Sequence, residues 1–282
     1  MSNISELLQV TTLDKVDAKI LLADLINKHL GWPKSSLISR DRDPLPQALL
    51  DDWHELEQKR LLGHPVAYLI GKKEFFNIEL SVAPGVLIPR PETELLVELA
   101  IEFLDSADNQ AHTPTPTPKI LDLGTGSGAI GLALAKNIPG SQVTCVDISP
   151  DALAIAKKNA ALLGLNKVQF HEGSWFEGLT DQFDVIVSNP PYIPAGDQHL
   201  SMGDLRFEPS SALTDHDDGL SAYRQIFPQA PAHLKKGGLI VVEHGYDQSE
   251  AVCQLLKNGQ YLNIKAHLDL AGIKRAASAK LG

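Results

Sequence analysis

The residues with the most specific chemistry are Asn189-Pro190-Pro191-Tyr192, directly after the apolar run FDVIVS. Two consecutive prolines stop a strand and stiffen the backbone, which fixes where neighbouring acceptors point. The Asn189 carboxamide oxygen and the Pro190 carbonyl are both acceptors, and a rigid pair of acceptors suits an –NH2 group with two hydrogens. Tyr192 adds an aromatic face that can cover a flat group. An amide or nucleobase amino nitrogen is a poor nucleophile because its lone pair is delocalised. Accepting both N–H hydrogens holds the group and favours electron density on nitrogen as positive charge develops there. Alignment of that nitrogen with its electrophile supplies more of the rate. No strong base is required, and no His or Lys stands in the motif.

A second constellation is the turn Gly124-Thr125-Gly126-Ser127-Gly128, between the apolar KILDL and the helical AIGLALAKN. Glycines at a strand-to-helix turn allow a tight bend and let a ligand approach the main chain. The spacing is Gly-x-Gly-x-Gly, with Asp122 two residues before it and Ala129 after it. Dinucleotide-binding turns prefer Gly-x-Gly-x-x-Gly but tolerate Ala at the last position, so the turn alone leaves nicotinamide, flavin and methyl-donor cofactors open. Asp147 closes the next strand, CVD, about 20 positions on, where a carboxylate accepts from ribose hydroxyls. Its structural alternative is a helix cap, a role Ser149 fills better. Trp175, in GSWF after the third strand, can offer a plane to an adenine or simply pack on the next helix.

These residues need a parallel sheet to position them. From Lys119 onward, short Val- and Ile-rich runs (KILDLG, VTCVDIS, KVQFHE, FDVIVSN, LIVVEHG) alternate at first with helical segments. That pattern indicates an α/β, Rossmann-like sheet with helices on both faces and ligands beyond the C-terminal strand ends. Upstream, apolar periodicity predicts a helix over 13–30 stopped by Gly31, and a second from about Pro46 to Leu62 before Gly63. The stretch between them reads as a loop or short helices. EFFNIELSVAPGVLIP, from Glu74 to Pro89, reads as a hairpin turning at Ala83-Pro84-Gly85, and Glu92 to about Leu104 as an apolar helix. TPTPTP, Thr113 to Pro118, reads as an exposed loop. The long segment from Pro194 to Leu220 has no clear strand or helix, and long loops inside compact domains are often functional. The expected organisation is a small helical domain over 1–73, a hairpin linker over 74–91, and an α/β domain over 92–282.

Composition narrows the partners. The chain has 282 residues, 43% hydrophobic and 21% charged, as in ordinary globular proteins. The formal net charge of −10 lowers the prospect of nucleic acid as the main partner, because phosphate binding calls for a basic surface. It favours a protein or small-molecule substrate. No stretch approaches the roughly 20 apolar residues that span a bilayer, and no secretory signal is expected, so the chain reads as cytoplasmic. The two cysteines, Cys145 and Cys253, call for no disulfide, and the ten histidines show no metal-ligand spacing. His112, His171, His199 and His216 read as surface or loop residues, and His244, at a strand end, as a structural hydrogen-bond partner.

With these motifs in hand, the chain resembles the release-factor glutamine methyltransferases of the PrmC/HemK type. The resemblance runs from about Arg60 to the end. It includes RLLGHPVAYLIGKKEFF, LIPRPETE (87–94), DLGTGSGAI, GSWF, SNPPYI, DLRFEPSSAL, VVEHG (241–245) and the terminal DLAGIKRAASAKLG. It implies a class I S-adenosylmethionine-dependent fold and methylation of N5 of the glutamine in the Gly-Gly-Gln motif of class I peptide chain release factors. By position it places Gly124, Thr125, Gly126, Ser127 and Gly128 along the methionine part of the cofactor, Asp147 on the ribose and Trp175 near the adenine. It sets Asn189 against both cofactor and substrate, completes the glutamine pocket with Pro190, Pro191 and Tyr192, and assigns catalysis to Asn189, Pro190 and Tyr192. Arg90 and Glu92 are expected to close over the cofactor, with a helix-start role as the alternative for Glu92. In the family the N-terminal domain helps grip the release factor. The competing function is a nucleic-acid adenine or cytosine amino-methyltransferase, which would need a basic groove and base extrusion. A nicotinamide dehydrogenase leaves Asn189-Pro190-Pro191-Tyr192 without a role, and an inactive binding module would have lost glycines, Asp147 or Asn189.

Overall fold

A computed structural model describes residues 2–106 and 117–282. The first part of TPTPTP, residues 113–116, and His112 lie outside the described residues. The chain divides into two compact units, Met1–Lys72 with Met202–Phe207, and Lys73–Ser201 with Glu208–Gly282. The first unit ends close to the expected boundary and also takes in a short piece of the long loop.

Helices dominate the first unit: α1 (Ile4–Val10), α2 (Lys15–Leu30), α3 (Ser36–Ser39), α4 (Gln47–Leu61) and α5 (Val66–Ile70). Local chemistry sets their ends. The Asn3 side chain accepts from the Glu6 N–H while Glu6 reaches back, a reciprocal cap for α1. Asp14 accepts from Val16 and Asp17 at the start of α2, and Gly31, left-handed at φ 67°, ends it. Leu21, Leu22, Leu25 and Ile26 of α2 bury one face against Leu49 and Trp53 of α4. Arg60 draws the loop piece into this unit, bonding Asp17 at 2.7 Å and Asp204 at 3.0 Å. Arg206 donates to the Leu62 carbonyl at 2.8 Å.

In the second unit the hairpin strands are β1 (Lys72–Phe75) and β2 (Ile78–Ser81). The turn lies at Phe76-Asn77, not at the expected Ala83-Pro84-Gly85. Both turn residues have positive φ, 42° and 60°, the geometry of a two-residue turn that follows strand twist. Pro84-Gly85 instead starts a loop running to a short 3₁₀ turn at Pro91–Thr93 and α6 (Glu94–Asp105).

The large sheet contains β3 (Lys119–Leu123), β4 (Gln142–Asp147), β5 (Gln169–Glu172), β6 (Phe183–Ser188), β7 (Leu234–Glu243), β8 (Tyr261–Leu268) and β9 (Lys274–Leu281), in the order β5-β4-β3-β6-β7-β9-β8. Strands β3 to β7 pair in parallel, and β9 pairs antiparallel with both β7 and β8. Alternate residues serve opposite faces: Val185 and Val187 join one core with Leu96, Val97 and Phe103 of α6 and with α7 (Ala129–Asn137). Ile186, Ile240 and Val242 join the other with Tyr223, Ile226 and Phe227 of α10 (Ser221–His233) and with Val252 and Leu256 of α11 (Ser249–Lys257). The remaining helices are α8 (Pro150–Leu162), capped by the Ser149 hydroxyl, and the single turn α9 (Ser210–Leu213) within the long loop. Strand order reverses between β3 and β6, and beyond the C-terminal ends of such a pair an α/β sheet opens a crevice.

Candidate active site

A cleft of about 290 Å³ opens at that reversal, the scale of a small-molecule pocket. Gly124, Gly126, Asp147, Trp175, Asn189 and Pro191 all contribute to its wall, as do Val86, Leu87, Ser211, Ala212 and Gln225. Thr125, Ser127, Gly128, Pro190 and Tyr192 are not in that wall.

The glycine turn holds its shape through buried polar groups. Gly124, Gly126 and Gly128 all have positive φ. Asp122, fully buried, accepts from the Thr125 hydroxyl at 2.6 Å and the Gly131 N–H at 2.9 Å. Burial raises the Asp122 carboxyl to about 6, offset in part by those two bonds. A Cβ on Gly131 would stand 2.5 Å from Cys145 Sγ, so only glycine lets α7 approach the sheet here. Asn159 of α8 ties the turn to the hairpin: its amide donates to the carbonyls of Ser127 and Ser81, and its oxygen accepts from the Ser81 N–H. Thr125 and Ser127 are buried, and of the turn Gly124 and Gly126 line the cleft.

Asp147 ends β4 at the cleft. Its two oxygens accept from the N–H groups of Gly126 at 2.8 Å and Ser149 at 2.9 Å, and each retains lone-pair capacity toward the cleft. Burial raises its pKa, and those N–H bonds oppose the shift. Trp175 adopts a positive φ of 52° and donates its indole N–H to Gln225 Oε1 at 3.1 Å, which pins the ring at the cleft wall near Gly124.

Asn189 follows β6, and its Nδ2 donates to the Thr93 hydroxyl at 3.1 Å. That bond leaves the carboxamide oxygen free. Tyr192 is turned the other way, its hydroxyl donating to Glu243 Oε1 at 3.1 Å. Burial, then the neighbouring Glu243 carboxyl, push the Tyr192 phenol far above its ordinary value, so it stays protonated. Glu243 is itself raised to about 7, chiefly by burial. The loop is clamped from behind, where Gln248 donates to the Tyr192 carbonyl at 2.8 Å and to the Gly219 carbonyl at 3.3 Å. A Cβ on Gly219 would stand 2.3 Å from the Tyr192 oxygen.

Arg90 pairs with Glu208, which also accepts from the Ile88 N–H at 2.9 Å. This fastens LIPRPETE to the EPSS segment, and neither Arg90 nor Glu92 reaches the cleft wall. His244 is buried, with Nδ1 against the Gly245 carbonyl at 2.8 Å. Both cysteines are free. Sequence reasoning missed Thr93, Glu243, Gln225 and Gln248. Thr93 and Glu243 stood inside the quoted motifs LIPRPETE and VVEHG but carried no local signal of partnership.

Comparison with known proteins follows the same division. A family profile described as a methyltransferase domain matches residues 115–276, and one described as a PrmC N-terminal domain matches residues 2–71. A release factor glutamine methyltransferase of Burkholderia pseudomallei is 43% identical, covering 98% of this chain and 95% of its own. The chain belongs to the release factor glutamine methyltransferase family. A second member, from Bordetella pertussis, is 42% identical and covers 100% of both chains. Solved structures share the fold at lower identity: a methyltransferase from Pyrococcus furiosus (17% identical, TM-score 0.54, covering 80% of this chain and 98% of that one) and a ribosomal protein L11 methylase from Lactobacillus delbrueckii subsp. bulgaricus (21%, TM-score 0.50, covering 68% and 81%). The α/β sheet expected from the strand pattern and the methyltransferase fold implied by the family resemblance are thus the observed ones.

Proposed function

We propose that this chain transfers the methyl group of S-adenosylmethionine to the side-chain amide nitrogen, N5, of the glutamine in the Gly-Gly-Gln motif of class I peptide chain release factors. The observation that carries the reading is the Asn189 carboxamide, held by Thr93 at 3.1 Å so that its oxygen is free beside the cleft. The cleft suits the cofactor: glycine backbone without side chains at Gly124 and Gly126, a carboxylate at Asp147, and an indole plane at Trp175. We assign the methionine part to Gly124 and Gly126, the ribose to Asp147 and the adenine side to Trp175. Thr125, Ser127 and Gly128 support that cradle from behind.

Bound S-adenosylmethionine supplies a methyl group activated by a positively charged sulfur. Asn189 Oδ1 and the Pro190 carbonyl accept the two amide hydrogens of the substrate glutamine and hold its nitrogen in line. The acceptors favour positive charge on that nitrogen as the N–C bond forms and the sulfur keeps the old bonding pair. The surplus proton leaves to water. Pro191 and Tyr192 complete the acceptor pocket, Tyr192 with its ring, since its hydroxyl is committed to Glu243.

The helical 1–73 region is proposed to grip the release factor, and the loop over 194–220 to order over the substrate. Pro209, Ser211 and Ala212 of that loop already border the cleft. No helix among the described residues is long and apolar enough to cross a membrane, and a translation factor as substrate supports a cytoplasmic site of action. The net charge of −10 and relatives matched along their full length both weigh against nucleic-acid amino groups as acceptor.

The test is label transfer from radioactive S-adenosylmethionine to an unmodified class I release factor, its Gln-substituted variant, and unmethylated DNA. Label in the first alone is expected, and label in DNA alone overturns the acceptor assignment. A thermal shift with NAD but none with S-adenosylmethionine would overturn the cofactor.

A further inference from the structure

Behind the cleft wall, Glu243 ends β7 only 2% exposed. One of its oxygens accepts from the Tyr192 hydroxyl, while Oε2 has no hydrogen-bond partner among the described residues. The Thr93 hydroxyl acts on the same carboxyl, favouring its charged form. Thr93 is also buried, and its oxygen accepts the Asn189 N–H.

A hydroxyl has one hydrogen to give and lone pairs to receive. An asparagine carboxamide can turn either its oxygen or its –NH2 toward such a hydroxyl, and the rest of the network decides which. If the Thr93 hydrogen pointed at Asn189, the carboxamide would turn its oxygen to Thr93 and present –NH2 to the substrate amide, donor against donor. An ionised carboxyl cannot donate. Glu243 therefore draws the Thr93 hydrogen to itself, and Thr93 is left as an acceptor.

We propose that Glu243 and Thr93 are positioning residues for methyl transfer: the carboxyl fixes the direction of the Thr93 hydroxyl, Thr93 thereby fixes which edge of Asn189 faces the acceptor amide, and the same carboxyl anchors Tyr192. One buried group thus sets both ends of the Asn189–Tyr192 segment. Neither residue is in the cleft wall, so neither borders the space assigned to the cofactor. The inference rests on reading Asn189 as the acceptor group, and its test separates the two.

Thr93→Val, Thr93→Ser, Glu243→Gln and Asn189→Ala are compared by single-turnover rate on a release factor at about pH 8, with cofactor Kd by calorimetry. Val keeps the shape of Thr without the hydroxyl, and Ser keeps the hydroxyl. Thr93→Val and Glu243→Gln are expected to lower the rate about tenfold or more, with Kd within about threefold of wild type, and Thr93→Ser to retain most of the rate. In Glu243→Gln the new amide can donate to Thr93 and reverse the network without changing its shape. Wild-type rates for both Thr93→Val and Glu243→Gln, with Asn189→Ala strongly impaired, would overturn the positioning role alone. Thr93→Ser falling as far as Thr93→Val would also overturn it, as a packing effect, and so would a loss confined to cofactor Kd. A near wild-type rate for Asn189→Ala would overturn the reading of Asn189 itself.

Discussion

The two halves of the cleft are built on different principles. On the β3–β4 side the wall is backbone: glycines at positive φ, with Asp122, Asn159 and Asp147 bonding main-chain N–H and carbonyl groups within a few residues or one neighbouring element. On the β6–β7 side the wall residue Asn189 is set from behind by a side-chain relay, Thr93 to Asn189 and Glu243 to Tyr192, backed by Gln248. A backbone cradle suits a ligand that is the same in every turnover. A side-chain relay suits a group whose hydrogen-bond direction must be chosen. Substitutions on the first side should act on cofactor affinity, and those on the second on the rate of transfer.

The sharpest way to break this division is Asn189→Ala. It removes the oriented acceptor and should lower single-turnover transfer by about 10²–10³, the usual range for loss of one preorganised hydrogen-bonding group. Cofactor Kd should change little, and a loss mainly in Kd would merge the two halves. Asp147→Ala should do the reverse, weakening cofactor binding by roughly 10- to 100-fold, the worth of charge-assisted hydrogen bonds, with a smaller effect at saturating cofactor. Calorimetry and a cofactor titration of the rate check it.

Gly219→Ala sharpens the comparison from behind the relay. Its Cβ would collide with the Tyr192 carbonyl at 2.3 Å, at a φ of +79° that side chains rarely adopt. A loss of about 1–3 kcal/mol of stability is expected, with a several-fold slower transfer and unchanged cofactor Kd. A thermal melt and the same assay test it.

The smallest effect is electrostatic. Burial raises Glu243 from its ordinary 4.5 to about 7, so between those values the folded state holds more protons than the unfolded one. Its contribution to stability is full below that window and lost as pH rises through it. Glu243→Gln has no such titration. The melting temperature of the variant minus that of wild type should increase from about pH 5 to about pH 8, and a flat or falling difference contradicts the shift.

The same contrast explains what sequence made legible. The glycine turn, Asp147 and the double proline could be read because each requires a residue type at a fixed place in one strand-to-loop junction. Thr93, Glu243, Gln248 and Glu208 could not, because their partners lie 96, 51, 56 and 120 positions away. Nothing local marks Glu243 as the anchor of Tyr192. The hairpin turn was misplaced because Pro84-Gly85 is the stronger local turn signal, while Phe76-Asn77 needs positive φ at a Phe, partly buried against the core, as well as at Asn77. Helix α10 is not among the expected elements, and its sequence carries Pro228 and Pro231, which disfavour a helix locally, yet Tyr223, Ile226 and Phe227 bury its inner face against the sheet.

The most direct test of the account is fragment-ion mass spectrometry of a class I release factor after reaction with this chain. The account predicts one added methyl group, located on the side-chain amide of the glutamine in Gly-Gly-Gln. A methyl group on a lysine, a carboxylate or the peptide backbone instead would contradict it, because none of those groups is the planar –NH2 whose two hydrogens Asn189 and Pro190 are proposed to accept.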